Sequence, residues 1–444
     1  MNSAPNEETL AKITDDILGV WKKFLKRPDM VSEDNFFNSG GDSILAVRIA
    51  HEIENTLGLT VDPMLIFINP TANKLAASIH PELRPIERII TVNSKLQDIE
   101  ATPFQQELYI LELLKRRNER INRPQPFILP EIDPKIIGSA FADLLSNHEI
   151  LTTTFHLVAN KIVQRHNSSF NLDDFFICHD LRSSEDLNLQ DCYEKVANRS
   201  FDLKSGPLCR MDVILLKDKT VCLLSTHHIL SDGLSEDIII RDLVATCSRT
   251  DSKTPARKPS FQFKDYALWY EKWRKSIAGQ KSLEYWRPIV MRATNLKPVF
   301  PIDENSKGFL AESLKVTLEK KIVTGIRHLM SSQNVTLFIA LQALTKAFLY
   351  KRYGCKEVAV GSVFSTRTLE IGPNDLGPYI NVLPLLDSVC DNSSFVDFVK
   401  QVKETVISSH KHRLASIAEI TSPNSNVRLK WTSPKVLDKI NRAV

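Results

Sequence analysis

Phe36-Phe37-Asn38-Ser39-Gly40-Gly41-Asp42-Ser43-Ile44-Leu45 joins an aromatic pair, a double-glycine turn and an acid–hydroxyl step to an aliphatic run. Two adjacent glycines let the backbone turn tightly. Beyond Asp42-Ser43, Ile44, Leu45, Val47, Ile49 and Ile53 recur close to helical spacing. Asp or Ser at a helix start commonly serves as an N-cap. A serine hydroxyl there is also a place to attach a phosphate-linked group, because a helix N-terminus favours phosphate. On these two residues alone the cap is the favoured reading, and the surroundings reverse it.

The surrounding residues predict a small helical unit. Ile13, Ile17, Leu18, Trp21 and Phe24 share one side of an amphipathic helix from about Leu10 to Phe24. A second helix follows Ser43 to about Leu57, where Gly58 suits a stop. Pro63 to Phe67 predicts a short helical turn, and Pro70-Thr71 opens a last helix through Leu75 and Ile79. The prolines of His80-Pro81-Glu82-Leu83-Arg84-Pro85 then discourage helix and predict a linker over 81–100. A linker that short keeps the helical unit near its neighbour at high effective concentration.

The chain has 444 residues, enough for two or three domains, with 43% hydrophobic and 25% charged residues, an ordinary soluble composition. Residues 1–80 hold seven Lys and Arg against eleven Asp and Glu, a net of −4, which leaves +8 for the rest of a chain totalling +4. An acidic small unit beside a basic large one suits electrostatic docking; compositional drift accounts for it equally well. No dense Lys/Arg run or nucleic-acid motif appears, so no nucleic-acid partner is expected. The polar, acidic start Met1-Asn2-Ser3-Ala4-Pro5-Asn6-Glu7-Glu8 is unlike a signal peptide, and no apolar stretch spans a bilayer, so no membrane partner is expected. Seven cysteines (Cys178, Cys192, Cys209, Cys222, Cys247, Cys355 and Cys390) lack CxxC spacing. They read as reduced thiols of a cytoplasmic protein, with no metal site.

From about residue 101 helix-like and strand-like segments alternate. Gln105–Leu114, Asp133–Asn147, Leu234–Cys247 and Val335–Tyr350 read as helices. Leu151–Leu157 and Lys161–Arg165 read as strands. Cys209–Leu216 and Thr220–Ser225 form a hairpin across Lys217-Asp218-Lys219, and Glu357–Phe364, with Val358, Val360 and Val363, reads as a buried strand. Two mixed α+β lobes are expected.

The hairpin runs into His227-His228-Ile229-Leu230-Ser231-Asp232-Gly233. If the strand continues, adjacent histidines point to opposite sides, one into a cavity and one into packing. Histidine takes or relays a proton near neutral pH. Asp232 can hold a basic partner or shape the turn, and Gly233 permits close backbone approach. A His-His pair also serves structurally or as a weak metal ligand, but no further Cys/His cluster accompanies it. A Ser-His-Asp hydrolase would need a nucleophile elbow, and Gly-x-Ser-x-Gly is absent.

Phe36 to Leu45 resembles the thiolation (peptidyl carrier) domain of nonribosomal peptide synthetases, and the histidine heptad resembles the His-His-x-x-x-Asp-Gly core of their condensation domains, relatives of chloramphenicol acetyltransferase. Further condensation motifs recur in order: Thr102 to Tyr109, Asn147 to Phe155, Phe263 to Trp269, Gly361 to Arg367 and Gly377 to Asn381. The resemblance implies a four-helix carrier bundle (1–80), a linker (81–100) and a two-lobed α+β condensation domain (101–421). It further implies 4′-phosphopantetheine esterified to Ser43, and amide formation between a thioester-bound donor and a carrier-bound amine in secondary-metabolite synthesis. His228 would be the base or the group that positions the amine. His227 would be packed, Asp232 would fix the loop by pairing with Arg367, and Gly233 would offer its N–H to the developing oxyanion. Tyr379 and Asn381 would line the tunnel between the lobes. Implied partners are a phosphopantetheinyl transferase and adenylation and acceptor carrier domains, in trans or on a longer parent chain.

Departures are equally specific. Asn147 and Thr152 stand where the second motif carries arginines, and Phe104 and Glu107 where the first carries a small residue and an arginine. Beyond Arg413 the family continues into further strands. This chain runs through Thr421-Ser422-Pro423-Asn424-Ser425-Asn426 to Val444, so an incomplete second lobe and an atypical basic tail (422–444) are expected. The alternatives are a non-catalytic carrier or docking module with a degenerate condensation domain, and a related ester-forming or epimerising enzyme.

Overall fold

In the computed structural model the described residues are 7–41, 43–57, 61, 64–79, 89, 98–113, 124–183, 189–247, 258–296, 314–367, 371 and 374–420. The expected stop at Gly58, most of the linker and the basic tail 422–444 lie outside them.

Four helices build the amino-terminal unit: α1 (Glu7–Leu25), α2 (Ser43–Leu57), α3 (Met64–Ile68) and α4 (Ala72–Ile79). The apolar stripe read from the sequence is the one that closes the bundle. Ile17, Trp21, Phe36, Ile49, Ile53, Ile66, Leu75 and Ile79 are all buried in one core. Burying such side chains contributes roughly 1.5–3 kcal/mol each before chain entropy is counted.

The first lobe of the larger domain follows. Its elements are β1 (Ile99–Glu100), α5 (Pro103–Leu113), β2 (Gln125–Leu129), α6 (Pro134–Asn147), β3 (Thr153–Val158), β4 (Lys161–His166), α7 (Leu172–Phe175), β5 (Phe176–Asp180), α8 (Leu189–Ala197), β6 (Cys209–Leu215), β7 (Thr220–Thr226) and α9 (Gly233–Cys247). A four-stranded sheet has the order β2-β7-β6-β5, with β5 parallel to β6 and the other pairs antiparallel. The small sheet β1-β4-β3 is antiparallel throughout. The predicted hairpin is β6–β7, in register Cys209↔Thr226 to Leu215↔Thr220. That register puts the carboxyl end of β7, and the histidines after it, beside the start of β6. Asp133 caps α6, its side chain accepting from Lys135 N at 2.9 Å, with Pro134 in the first turn.

Helices α10 (Phe263–Lys275) and α11 (Ile277–Asn295) lead into the second lobe: α12 (Lys320–Gln333), α13 (Leu337–Tyr353), β8 (Glu357–Ser365), β9 (Ile380–Ser388), α14 (Phe395–Lys411) and α15 (Ile417–Ile420). Strands β8 and β9 pair antiparallel as a two-stranded sheet among the described residues. α13 and α14 pack on them, with Ile339, Ala343, Phe364, Leu383, Leu385, Val399 and Val402 in the lobe's core. The reading of Val363 as buried is corrected: it is 63% exposed, while Val358, Ser362 and Phe364 are buried. Side chains alternate faces along a strand, so positions of even number face α13 and Val363 faces out. Among the described residues no helix is long and apolar enough to cross a membrane.

A buried ion pair lies inside this lobe. Lys346 Nζ of α13 meets Asp387 Oδ2 of β9 at 2.5 Å, and neither side chain is more than 1% exposed. Burial pulls the Lys346 ammonium below its ordinary range. Thr405 (2.7 Å) and Gln401 (3.2 Å) of α14 donate to the other carboxylate oxygen.

Candidate active site

Ser43 is the first residue of the fifteen-residue helix α2. The approach to it is built by local hydrogen bonds. Asn35 Oδ1 accepts from Phe37 N at 3.0 Å and from Asn38 N at 3.2 Å, and Gly41 N donates to Phe36 O at 2.9 Å. Phe36 N donates to Pro70 O at 2.7 Å, fastening the loop to the entry of α4. Gly40 has φ +99°, and a Cβ on Gly41 would stand 2.3 Å from the buried Phe36 ring. Only glycine fits both demands, so the double glycine brings the chain hard against Phe36 and delivers Ser43 at a helix N-terminus. The unpaired N–H groups and dipole of such an end favour a phosphate diester. These residues therefore fit a covalently attached phosphopantetheine.

The second candidate site is the turn after β7. The strand ends at Thr226, and the histidines open a turn closed by Leu230 N donating to His227 O at 2.9 Å. The two rings differ in burial across this break. His227 N still bonds Leu208 O at 2.9 Å, as in a continuing ladder. His227 is 4% exposed, lies edge-on to Phe201 and has Nδ1 accepting from Ile229 N at 3.0 Å. Its imidazole is thus part of the turn's own hydrogen bonding. His228 is half-buried, with Nδ1 3.3 Å from Ser231 O. A carbonyl only accepts, so Nδ1 carries the hydrogen, and Nε2 of the neutral ring is the basic nitrogen.

Asp232 caps α9: Oδ1 accepts from Ser235 N at 2.8 Å. Its Oδ2 accepts from Tyr379 N, at the entry of β9, at 3.2 Å. Arg367 Nη2 lies 3.5 Å from Asp232 Oδ1, with both side chains less than a tenth exposed. The stronger bonds of Arg367 go elsewhere, to Asp375 O at 2.9 Å and Ser235 Oγ at 3.2 Å, and its guanidinium sits 4.4 Å from the Tyr379 ring centre. Gly233 opens α9 on the exposed side, its N–H among the first-turn donors.

The remaining expected residues do other work. Tyr379 has no exposed surface; it packs against Phe263 and Tyr266 with ring centres 5.2 and 5.0 Å away. Its expected place on a tunnel wall is corrected, because a side chain without accessible surface lines nothing. Burial drives its phenol far above the ordinary range, and its Oη has no hydrogen-bond partner among the described residues. Asn381 Nδ2 donates to Arg413 O at 2.9 Å and Ala415 O at 2.7 Å, tying β9 to the chain after α14. In the second motif, Glu149 pairs with Lys264 at 2.6 Å and Thr152 Oγ1 meets His166 Nδ1 at 3.0 Å. His148, 1% exposed, is pushed down to about 4 by burial and so packs as a neutral ring.

Two residues missing from the sequence-derived site hold it together. Gln105 of α5 is fully buried, and its Nε2 donates to Ile229 O at 3.1 Å. Ser235 is fully buried where the lobes meet, its Oγ 2.7 Å from Asp232 Oδ1, 2.9 Å from Gly377 O and 3.1 Å from Gly377 N. The signal for Ser235 was its place three residues after an Asp cap. Its partners 142 residues away carried no local signal. At Gly377 a Cβ would stand 2.0 Å from the Phe263 ring. Gly377→Ala is therefore expected to lower stability by about 1–3 kcal/mol, read from urea unfolding, as overpacking does; an unchanged midpoint would contradict the close packing.

A Condensation domain family model matches residues 95–428, and a Phosphopantetheine attachment site model matches residues 15–79. Surfactin synthase subunit 2 of Bacillus subtilis (strain 168) is 27% identical over 425 residues, covering 94% of this chain and 11% of that protein. Malpibaldin synthetase of Mortierella alpina is 27% identical over 421 residues, covering 91% and 8%. The chain thus spans about a tenth of the length of these relatives. Among solved structures, the X-domain from teicoplanin biosynthesis superposes with a TM-score of 0.61 at 19% identity, over 76% of this chain and 77% of that one. The first condensation domain of the CDA synthetase gives 0.58 at 18%, over 74% and 78%. At such identity these two likenesses speak to the fold.

Proposed function

Since this chain belongs to the condensation-domain family of nonribosomal peptide synthetases and carries a phosphopantetheine-attachment domain in front of it, we propose that it joins a thioester-bound acyl donor to a carrier-bound amine as an amide. Attached at Ser43, phosphopantetheine supplies a thiol that holds the acyl group as a thioester. His228 takes or orients the amine proton at Nε2 as nitrogen attacks the carbonyl carbon. The C–N bond forms, the C–S bond breaks, and the proton passes to the departing thiolate. Gly233 N–H, at the positive end of α9, faces the charge that develops on the carbonyl oxygen. His227, Asp232 and Arg367 hold the turn, Tyr379 fills the seam between the lobes, and Asn381 anchors β9. A phosphopantetheinyl transferase, and adenylation and acceptor carrier domains on other chains or a longer parent, complete the system in the cytoplasm.

The observation that carries this reading is the pair of unlike histidines. One has its Nδ1 engaged by the turn's backbone, and its neighbour is half-buried with Nδ1 facing the carbonyl of Ser231. The test is direct. Incubation with coenzyme A and a phosphopantetheinyl transferase should add the arm to the intact protein, and Ser43→Ala should abolish the added mass entirely. The loaded carrier with an amine-bearing acceptor carrier should then yield amide. An arm on Ser43 with no amide would leave a docking module and end the catalytic reading.

A further inference from the structure

The turn that carries His228 is fastened from behind by a side chain the reaction above does not use. Glu236 stands in the first turn of α9, four residues after Asp232. Its Oε1 accepts the Thr226 hydroxyl at 2.6 Å and lies 3.4 Å from Ser231 Oγ. Ser231 Oγ in turn donates to Thr226 Oγ1 at 2.9 Å. Ser231 has no exposed surface and Thr226 only 4%. A carboxylate only accepts, so the chain has one direction: the Ser231 hydroxyl gives to Thr226, and Thr226 gives to Glu236. Hydrogen bonds to a charged acceptor are the strong ones, so this chain is held most firmly at its carboxylate end. Ser231 also owns the carbonyl that His228 Nδ1 faces at 3.3 Å. Residue 231 is therefore gripped by its side chain and grips the imidazole with its backbone.

We propose that Glu236 is a positioning residue for His228: through Thr226 and Ser231 it fixes the carbonyl that accepts Nδ1–H, and so keeps the Nε2 lone pair turned towards the incoming amine. The inference rests on the reading of His228 as the residue that handles the amine proton. Its rival is that Glu236 serves only α9, as an acid favoured near a helix start. The rival predicts a loss of stability and an unchanged imidazole.

The two accounts separate by nitrogen-15 NMR of the full chain with labelled histidine, above the histidine titration range, with the His228 signals assigned by their loss in His228→Gln. Wild type, Glu236→Gln and Thr226→Ser keep an acceptor and a hydroxyl, and should show His228 protonated at Nδ1. Glu236→Ala and the near-isosteric Thr226→Val should shift it towards a mixture of tautomers. In turnover of the loaded carrier they should lower kcat about ten- to hundredfold with KM little changed, as misplacement of a reacting group does. Glu236→Gln should stay within about threefold of wild type, a step of less than 1 kcal/mol. If Glu236→Ala fails to fold, Thr226→Val carries the test. Wild-type His228 signals and kcat in the folded variants, with only the melting temperature lowered, would overturn the proposal. A shifted tautomer in a protein whose wild type makes no amide would uphold the positioning role and overturn the amide-forming reading, so the two failures are distinct.

Discussion

His228→Ala is expected to lower amide formation by about 10²–10⁴-fold, the range that a placed general acid or base supplies. The expectation follows from how unequal the two histidines are. His227 is buried with Nδ1 engaged by Ile229 N, so its ring is built into the turn. His228 is half-buried, with Nδ1 directed at Ser231 O. Removing its ring takes away the basic nitrogen and leaves the bonds that shape the turn: Leu230 N to His227 O, Gln105 Nε2 to Ile229 O and Ser235 N to Asp232 Oδ1. The variant should therefore fold as wild type does and still accept phosphopantetheine at Ser43. Single-turnover formation of amide from a loaded carrier measures the effect, with intact mass confirming the loading. A rate within threefold of wild type would show that substrate pre-organisation, which in well-oriented systems supplies about 7–11 kcal/mol, does the work without this imidazole.

Lys346→Met should destabilise the second lobe by about 3–5 kcal/mol, the usual consequence of stranding one member of a buried ion pair. Asp387 would keep its bonds from Thr405 and Gln401 but lose its only counter-charge among the described residues. Methionine fills the volume of the lysine stem, so the loss reads charge and not a cavity. Exchanging both partners for apolar residues, Lys346→Met with Asp387→Leu, should recover most of the loss. Replacing a whole buried pair by well-packed apolar residues of similar volume is often neutral or stabilising. Urea unfolding of the single and double variants gives both numbers. A single variant that loses under 1 kcal/mol would mean that water reaches Asp387.

Much of this is legible in the sequence, because the elements concerned are locally encoded. The amphipathic period of α1, the double glycine before Ser43 and the alternating runs of β6 and β7 each state their structure within a few residues. The histidine turn is legible as a motif, and an unlike burial of His227 and His228 is what two adjacent positions after a strand suggest. What stays hidden depends on distant partners. Ser235 matters because Gly377 and Arg367 arrive beside it from the other lobe. The motif around Tyr379 suggests a tunnel residue, but Phe263, Tyr266 and Arg367 enclose it completely. The apolar character of Val363 suggests burial, but its parity along β8 turns it outward. The acid at 236 looks like any first-turn glutamate until Thr226 and Ser231 are seen beneath it.

Asp232 does two things with one carboxylate. One oxygen starts α9 immediately after the histidine turn, and the other grips the backbone of Tyr379 at the entry of β9. The start of α9 and the entry of β9 thus share one carboxylate. A swing of one lobe against the other at this point would pull on the carboxylate that starts α9, next to the turn that holds His228. Displacement of one lobe against the other should then be smallest at residue 232 and largest at the rims farthest from it.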